Sequence, residues 1–409
     1  MTFNGNVRPV RPSVTVSGIG IVSAFGTSHE AFREALLGGA TAIAPVTGFD
    51  VSGCRTTLAA EITTFRPEAW ISPMKLRRLD RTGAYAVAAA KLALEDAGVV
   101  VPAGGDDEAG VLFGTWSAGG QSTQEFLAAL FRSGPSGAPA LLFDSTVGNS
   151  AAALAGLELE LRGPNITVSH KEASGLAAVV GAADLLREGG ASRVIAGGVD
   201  ALVETFYKGH DRFGVMPPDA AFSRRVAPFD AERAGFVMGE GAFTFWMEAG
   251  VPARHGEILG VAASSAAVPV NAWPTRPEPL ARTMRLALED AGLAAEDIDV
   301  VYATANATGL DEAEAQALAL VFARAGPVVT SVKGALGESG AAGAASCAAA
   351  LLCGAAGAVP PIAGLVQPAA AAERLRLARV RTPAPGPLVL VNSAASGGAL
   401  FSLVLRVGP

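Results

Sequence analysis

Long basic stripes, metal-type cysteine spacings and a leader-like beginning are all missing from this chain of 409 residues. Each absence argues against a class of function. With no Lys/Arg-rich stripe and a net charge of −7, a nucleic-acid surface is not expected. The one basic cluster, Lys75-Leu76-Arg77-Arg78-Leu79-Asp80-Arg81, reads as a solvated helix face or a local anionic contact. The three cysteines, Cys54, Cys347 and Cys353, show neither metal-ligand nor disulfide spacing, so no metal or cofactor is expected and a reducing compartment fits. Cys347 and Cys353 lie in an Ala/Gly-rich stretch and read as small core residues. Met1-Thr2-Phe3-Asn4-Gly5 lacks a basic-then-apolar pattern, so a cytoplasmic location is expected. Charge is missing altogether from Ser339 to Ala372, a run long enough to suggest a membrane span. It is mostly Ala and Gly and is broken by Pro360-Pro361, so it reads as a helix buried in a core, and no membrane partner is expected.

What is present is apolar bulk, 50% of the residues, enough for a large interior and more than one core-sized unit. Val14 to Ser23 reads as a strand and a Gly-rich turn, and His29 to Leu37 as an amphipathic helix. Thr82 to Ala97 has long helical periodicity and stops at Gly98. Strands are expected at Ala109 to Gly114, Ile166 to Ser169 and Arg193 to Gly197, with helices at Ala151 to Leu161 and Gly175 to Glu188. A similar rhythm follows Gly256: strands at 257–263, 300–303 and 328–332, helices at 279–291 and 312–324, then two closing strands at 387–392 and 399–406. This alternation implies a largely parallel sheet with helices on both faces, and an internal duplication that breaks near Pro252 to Gly256.

The segment Thr167-Val168-Ser169-His170-Lys171-Glu172-Ala173-Ser174-Gly175 reads as a buried strand, a tight turn and then a helix from Leu176. It resembles the nucleophile elbow of the β-ketoacyl synthases, where a cysteine precedes a small-Ser-Gly turn. Other pieces match in order: Val16-Ser17-Gly18-Ile19-Gly20, Arg78-Leu79-Asp80-Arg81, Gly148-Asn149, Arg162-Gly163-Pro164 and Gly197-Gly198-Val199-Asp200. Pro228 to Ala242, Lys333 with Gly337, and Pro360-Pro361 complete the resemblance, which runs from Val14 to Leu405. It implies an α/β thiolase fold, a duplicated five-layer αβαβα arrangement with two mixed sheets around buried helices. The halves would be residues 1–255 and 256–409.

The resemblance also implies chemistry: a thiolate at a helix N-terminus takes the acyl chain, and two histidines support decarboxylation and hold the enolate. Here Glu172 stands at the cysteine position, and Thr304 and Glu338 stand at the histidine positions. None of His29, His170, His210 and His255 matches either place. Asp311, Glu314 and Lys333 fit structural ion-pair positions. The C-terminal turn is Ala395-Ser396-Gly397-Gly398, with Ser396 where a gating phenylalanine is usual. This set of losses is similar to the chain-length factors, the non-catalytic β-subunits of type II polyketide ketosynthase heterodimers. That likeness implies an active ketosynthase partner and an acyl carrier protein bearing a phosphopantetheine-bound chain. It also implies tunnel-lining positions at Ser122 and Phe126, on the helix from Gln121 to Phe131. Phe126 is equally readable as part of an apolar core or dimer seam. Two rival readings share the fold: a priming malonyl-carrier-protein decarboxylase, and an interaction-only pseudoenzyme of lipid assembly. Glu172 itself reads as a buried carboxylate satisfied by helix N-terminal amides and Lys333. Glu338 is expected to meet a nearby cation, and His170 to be structural.

Overall fold

The computed structural model describes residues 12–219, 226–322 and 326–408. Met1 to Gly5, and Arg324 at the end of one expected helix, lie outside these residues. The first half of the chain contributes β1 (Val14–Val22), β2 (Ile43–Pro45), β3 (Leu58–Ala60), β4 (Ala109–Gly114), β5 (Asn165–Val168), β6 (Arg193–Asp200) and β7 (Gly241–Ala249). Its helices are α1 (His29–Leu37), α2 (Pro73–Leu76), α3 (Arg81–Ala97), α4 (Gly120–Ser133), α5 (Ala140–Phe143), α6 (Ser150–Leu159), α7 (Ser174–Arg187) and α8 (Glu204–Phe213). The second half contributes β8 (Gly256–Ser265), β9 (Val300–Tyr302), β10 (Val328–Thr330), β11 (Ala358–Val359), β12 (Arg376–Leu377), β13 (Thr382–Pro383), β14 (Leu388–Ala394) and β15 (Ala399–Val407). Its helices are α9 (Pro277–Ala291), α10 (Leu310–Val321), α11 (Lys333–Leu336) and α12 (Ala342–Ala355).

Local chemistry sets many of these ends. Ser28 caps α1 by accepting from the Ala31 N–H, and Asp80 caps α3 by accepting from the Gly83 N–H. Gly98 and Gly292 close α3 and α9 in the left-handed conformation that glycine adopts without steric cost.

The expected α/β thiolase-type architecture is present, with differences in how its strands join. The two expected sheets are continuous, in the order β12-β10-β9-β14-β15-β8-β1-β7-β6-β4-β5. They join where Val14 to Val16 of β1 pair with Gly256 to Ile258 of β8. Nor is the sheet largely parallel: β1–β7, β6–β7, β1–β8, β8–β15 and β14–β15 all pair antiparallel. The link between β14 and β15 is too short for a crossover, so β15 returns antiparallel, while β7 and β8 flank β1 and both run opposite to it. Helices α7 and α12 pack against each other and against strands from both halves, inside the curl of the sheet, while α3 and α9 cover its outer face. The first part of the charge-free run becomes α12, which is largely buried, while the rest forms β11 and loops, and no described helix is long and apolar enough to cross a membrane. The expected buried strand at 166–169 is instead β5, an edge strand whose Ile166 is 37% exposed.

At the centre, β6 ends on the fully buried Asp200. One carboxylate oxygen accepts from Thr115 Oγ1, Trp116 N–H, Ser117 N–H and Ser117 Oγ, each at 2.8 Å. The other accepts from the Gly340 N–H at 2.5 Å. Glycine is required at 340: an added Cβ would stand 2.3 Å from that carboxylate oxygen and 2.9 Å from the Trp116 nitrogen. Gly340→Ala is therefore expected to lower stability by about 1–3 kcal/mol through overpacking. Gly209→Ala, in α8 with open space around the new methyl, is expected to be neutral or stabilising. Urea unfolding of the two variants checks the contrast.

Candidate functional site

The elbow follows β5 as a short 3-10 turn, Lys171–Ala173, and α7 begins at Ser174, one to two residues before the expected start at Gly175 or Leu176. Lys171 adopts φ +49, a left-handed conformation unusual for a residue with a side chain. The Ser174 hydroxyl, which donates to the Lys171 carbonyl at 2.6 Å and accepts from the His170 N–H at 2.9 Å, holds the turn. His170 itself is exposed and lies against Phe401, with ring centroids 5.3 Å apart.

The turn delivers Glu172 to a site that is only 2% exposed. The carboxylate accepts from the Ser396 N–H at 3.0 Å and from Ser396 Oγ at 2.9 Å. The expectation that Lys333 meets Glu172 is corrected here: Lys333 donates to Glu338 Oε2 at 2.8 Å, and also to the Thr304 carbonyl and hydroxyl. Glu338 lies five residues from Lys333 in the chain and takes the cation, so Glu172 is left with hydroxyl and amide donors alone. The Asn306 side chain also donates to Glu338, at 2.7 Å.

Thr304 is fully buried: its hydroxyl accepts from the Ala394 N–H at 2.9 Å, and its own N–H donates to Glu314. Glu314 also accepts from the Ala305 N–H and from Asn392, so it meets amides where an ion pair was expected. Asp311 accepts the N–H groups of Phe229, Asn306 and Ala307, with the Arg233 guanidinium 3.9 Å away. The structure thus brings Thr304, Glu314, Lys333 and Glu338 into one cluster, with Asp311 bracing the loop beside it.

Burial governs the protonation of these acids. Loss of water pushes Glu172 up to about 7, and the nearby Glu338 adds to the rise. Glu314 is pushed up to about 7 and Asp311 to about 6, again by burial, against the pull of their amide donors. Glu338 is also raised by burial, with Lys333 opposing.

Above Glu172 opens a cleft of about 530 Å³, walled by Trp116, Phe206, Phe213, Phe236 and Trp273 and floored by Lys171, Glu172 and Ser396. Its aromatic walls were not legible in the sequence, because they come from four separate segments, with only Phe206 and Phe213 sharing one, α8. Ser122 and Phe126 do not line it. Ser122 is buried in α4, and Phe126 is half-buried with its ring 5.7 Å from that of Phe143 on α5. Among the described residues, no group of three or more His, Cys, Asp or Glu could hold a metal ion.

A carboxyl whose folded-state pKa is raised favours folding while protonated, and stability falls as pH rises from its unfolded value toward about 7. Glu172→Gln keeps the shape and removes that loss. The variant is expected to gain on the parent between pH 5 and pH 8, by at most about 3 kcal/mol. The parent's own decline should persist in part, because Glu314 and Asp311 remain. Melting temperatures measured across this range check the sign.

Comparison with known proteins agrees with the geometry. Residues 11–249 match the β-ketoacyl synthase N-terminal domain and residues 255–366 the C-terminal domain. The tetracenomycin polyketide synthase ketoacyl synthase beta subunit of Streptomyces glaucescens is 35% identical over 373 residues, 87% of this chain and 89% of that one. A 3-oxoacyl-[acyl-carrier-protein] synthase 2 of Rhizobium meliloti is 30% identical over 96% of this chain and 98% of its own. The solved structure of the ishigamide ketosynthase/chain length factor superposes with a TM-score of 0.89 at 31% identity, covering 98% of this chain and 100% of that one. With its elbow, its C-terminal turn and both domains in place, the chain belongs to the β-ketoacyl synthase family of the thiolase-fold superfamily.

Proposed function

We propose that this chain is a chain-length-factor-like subunit without condensing activity of its own. In this reading it pairs with an active ketosynthase that carries the cysteine and both histidines. The pair works on chains delivered by an acyl carrier protein, and this subunit helps shape the elongation tunnel. The observation that carries the proposal is the occupancy of the nucleophile position. A thiolate there would form a thioester, whereas Glu172 is buried and held by Ser396. Catalysis of acyl transfer also needs N–H donors aimed at a developing oxyanion. The Ser396 N–H donates to the Glu172 carboxylate, which takes up a donor that an oxyanion would require.

The loss of both histidines counts against a priming decarboxylase. An enolate beside Glu338 would meet a carboxyl, and the Lys333 ammonium is already shared with Glu338 and Thr304. Pairing is supported by an apolar surface on α4, α5 and the loop after it: Phe131 is 82% exposed and Phe143 60%, with Leu127, Leu141 and Val147 also exposed. Helices α4 and α5 pack side by side, and β5 presents an open sheet edge, features that suit association with a partner.

The direct test co-expresses the chain with its genomic-neighbour ketosynthase and asks for one species on size-exclusion chromatography. The expected outcome is a heterodimer that condenses, while this chain alone yields no β-ketoacyl product from acyl- and malonyl-carrier protein. Glu172→Cys alone is expected to remain inactive, because Thr304 and Glu338 supply no imidazole. A turnover signal from the isolated parent or from this variant would refute the reading.

Length control gives a second test. Phe126 is half-buried, so Phe126→Ala is expected to cost about 1–2 kcal/mol if the ring faces shared open space, well below the roughly 3–5 kcal/mol of a full core truncation. The product mass profile of the reconstituted pair should then shift to longer chains. A large fall in melting temperature with unchanged products would assign Phe126 to packing alone.

A further inference from the structure

The chain has five lysines, and four of them are ion-paired: Lys75 and Lys91 with Glu158, Lys208 with Glu204, and Lys333 with Glu338. The exception is Lys171, which among the described residues pairs with no carboxylate. Its ammonium donates instead to two neutral oxygens, the Asn271 side-chain carbonyl and Ser396 Oγ, the latter at 3.3 Å. Both lie on the lining of the aromatic cleft, as does Lys171 itself.

The placement is built. Lys171 is held in the left-handed region, which is unfavourable for a residue with a Cβ. The Ser174 hydroxyl pins its carbonyl in that conformation. Ser396 Oγ gives its hydrogen to Glu172 and turns a lone pair to Lys171, so the hydroxyl orients the ammonium without neutralising it. Asn271, at φ +67, reaches in from the opposite wall. The loop that carries Asn271 is tied to the C-terminal turn by two backbone bonds, Ala266 N–H to the Gly398 carbonyl and Gly397 N–H to the Ala272 carbonyl. A fixed cation with only neutral partners, in a partly desolvated cleft, is a site for an anion.

The walls set the rest of the ligand. Trp116, Phe206, Phe213, Phe236 and Trp273 offer apolar faces, and Phe213 at the rim is 79% exposed. We infer that the cleft binds a carboxylate borne on an apolar chain, a medium-length saturated or polyene acid, with the carboxylate on Lys171 and the tail along the aromatic walls. Every residue named for this site comes from this chain, so the inference does not rest on the pairing proposed above.

The cleft carries its own reporters, since Trp116 and Trp273 are two of the chain's four tryptophans. Octanoate is titrated against the full chain, alone and as the co-expressed complex, with tryptophan fluorescence as the readout. Octanol, octylamine and octanoyl-pantetheine offer the same tail without the negative charge. Saturable octanoate binding is expected, roughly 10- to 100-fold tighter than octanol, with octylamine weakest. Lys171→Met should lose that preference and Lys171→Arg should keep it, with melting curves confirming that both are folded. Phe213→Ala, at an exposed position, should weaken octanoate and octanol alike. The inference is overturned if octanol or octanoyl-pantetheine binds as well as octanoate, if Lys171→Met binds octanoate like the parent, or if no saturable binding occurs below about 10 mM.

Discussion

One buried carboxylate holds the functional region together. Asp200 gathers the loop after β4 onto one oxygen and the segment before α12 onto the other. Five donors offset the cost of placing the group out of water. Because Trp116 is one of those donors and also a wall of the cleft, the same carboxylate fixes the distance between that wall and the elbow. The contact works only because backbone meets backbone. The Gly175 N–H donates to the Gly340 carbonyl at 2.6 Å, and a Cβ on Gly198 would come within 2.9 Å of the Gly175 Cα.

Around this frame, positions that would carry chemistry in the family carry structural bonds. Glu172 ties the elbow to the C-terminal turn, Glu338 absorbs the charge of Lys333, and Thr304 accepts from β14 through Ala394. A site of this kind is rich in acids yet poor in free acid–base groups, since each carboxyl spends its lone pairs on fixed donors. Burial raises Glu172, Glu314 and Asp311 together, so protonation favours the native packing rather than opposing it.

How much of this was legible varied with the range of the interaction. Helix α3 could be read from its periodicity and from Gly98, which closes it, while its start at Arg81, capped by Asp80, falls one residue before the expected Thr82. Strand β4 matches its expected bounds because Gly and apolar residues bracket a short buried run. The mixed pairing of the sheet was hidden: alternating strands and helices suggest parallel neighbours, whereas the strands from β14 through β15, β8, β1 and β7 to β6 pair antiparallel across the centre. The edge position of β5 was hidden too, because an apolar residue such as Ile166 gives the same signal whether its cover is intramolecular or not. Glu172, Thr304 and Glu338 were found by their motifs, but their partners were not. Ser396 lies 224 residues from Glu172, and no local pattern couples the two. The mistaken assignment of Lys333 to Glu172 arose from the same limit.

The triangle of Lys333, Glu338 and Asn306 bears on how such a chain can evolve. Exchanging Glu338 for histidine would leave the Lys333 ammonium facing an imidazole inside the protein, and would strand the amide of Asn306. Exchanging Glu172 for cysteine would release both donors of Ser396 without an acceptor. Each exchange would disturb its neighbours unless they changed with it. The interior therefore couples these positions in pairs, Glu338 with Lys333 and Asn306, and Glu172 with Ser396, so that none of them varies independently.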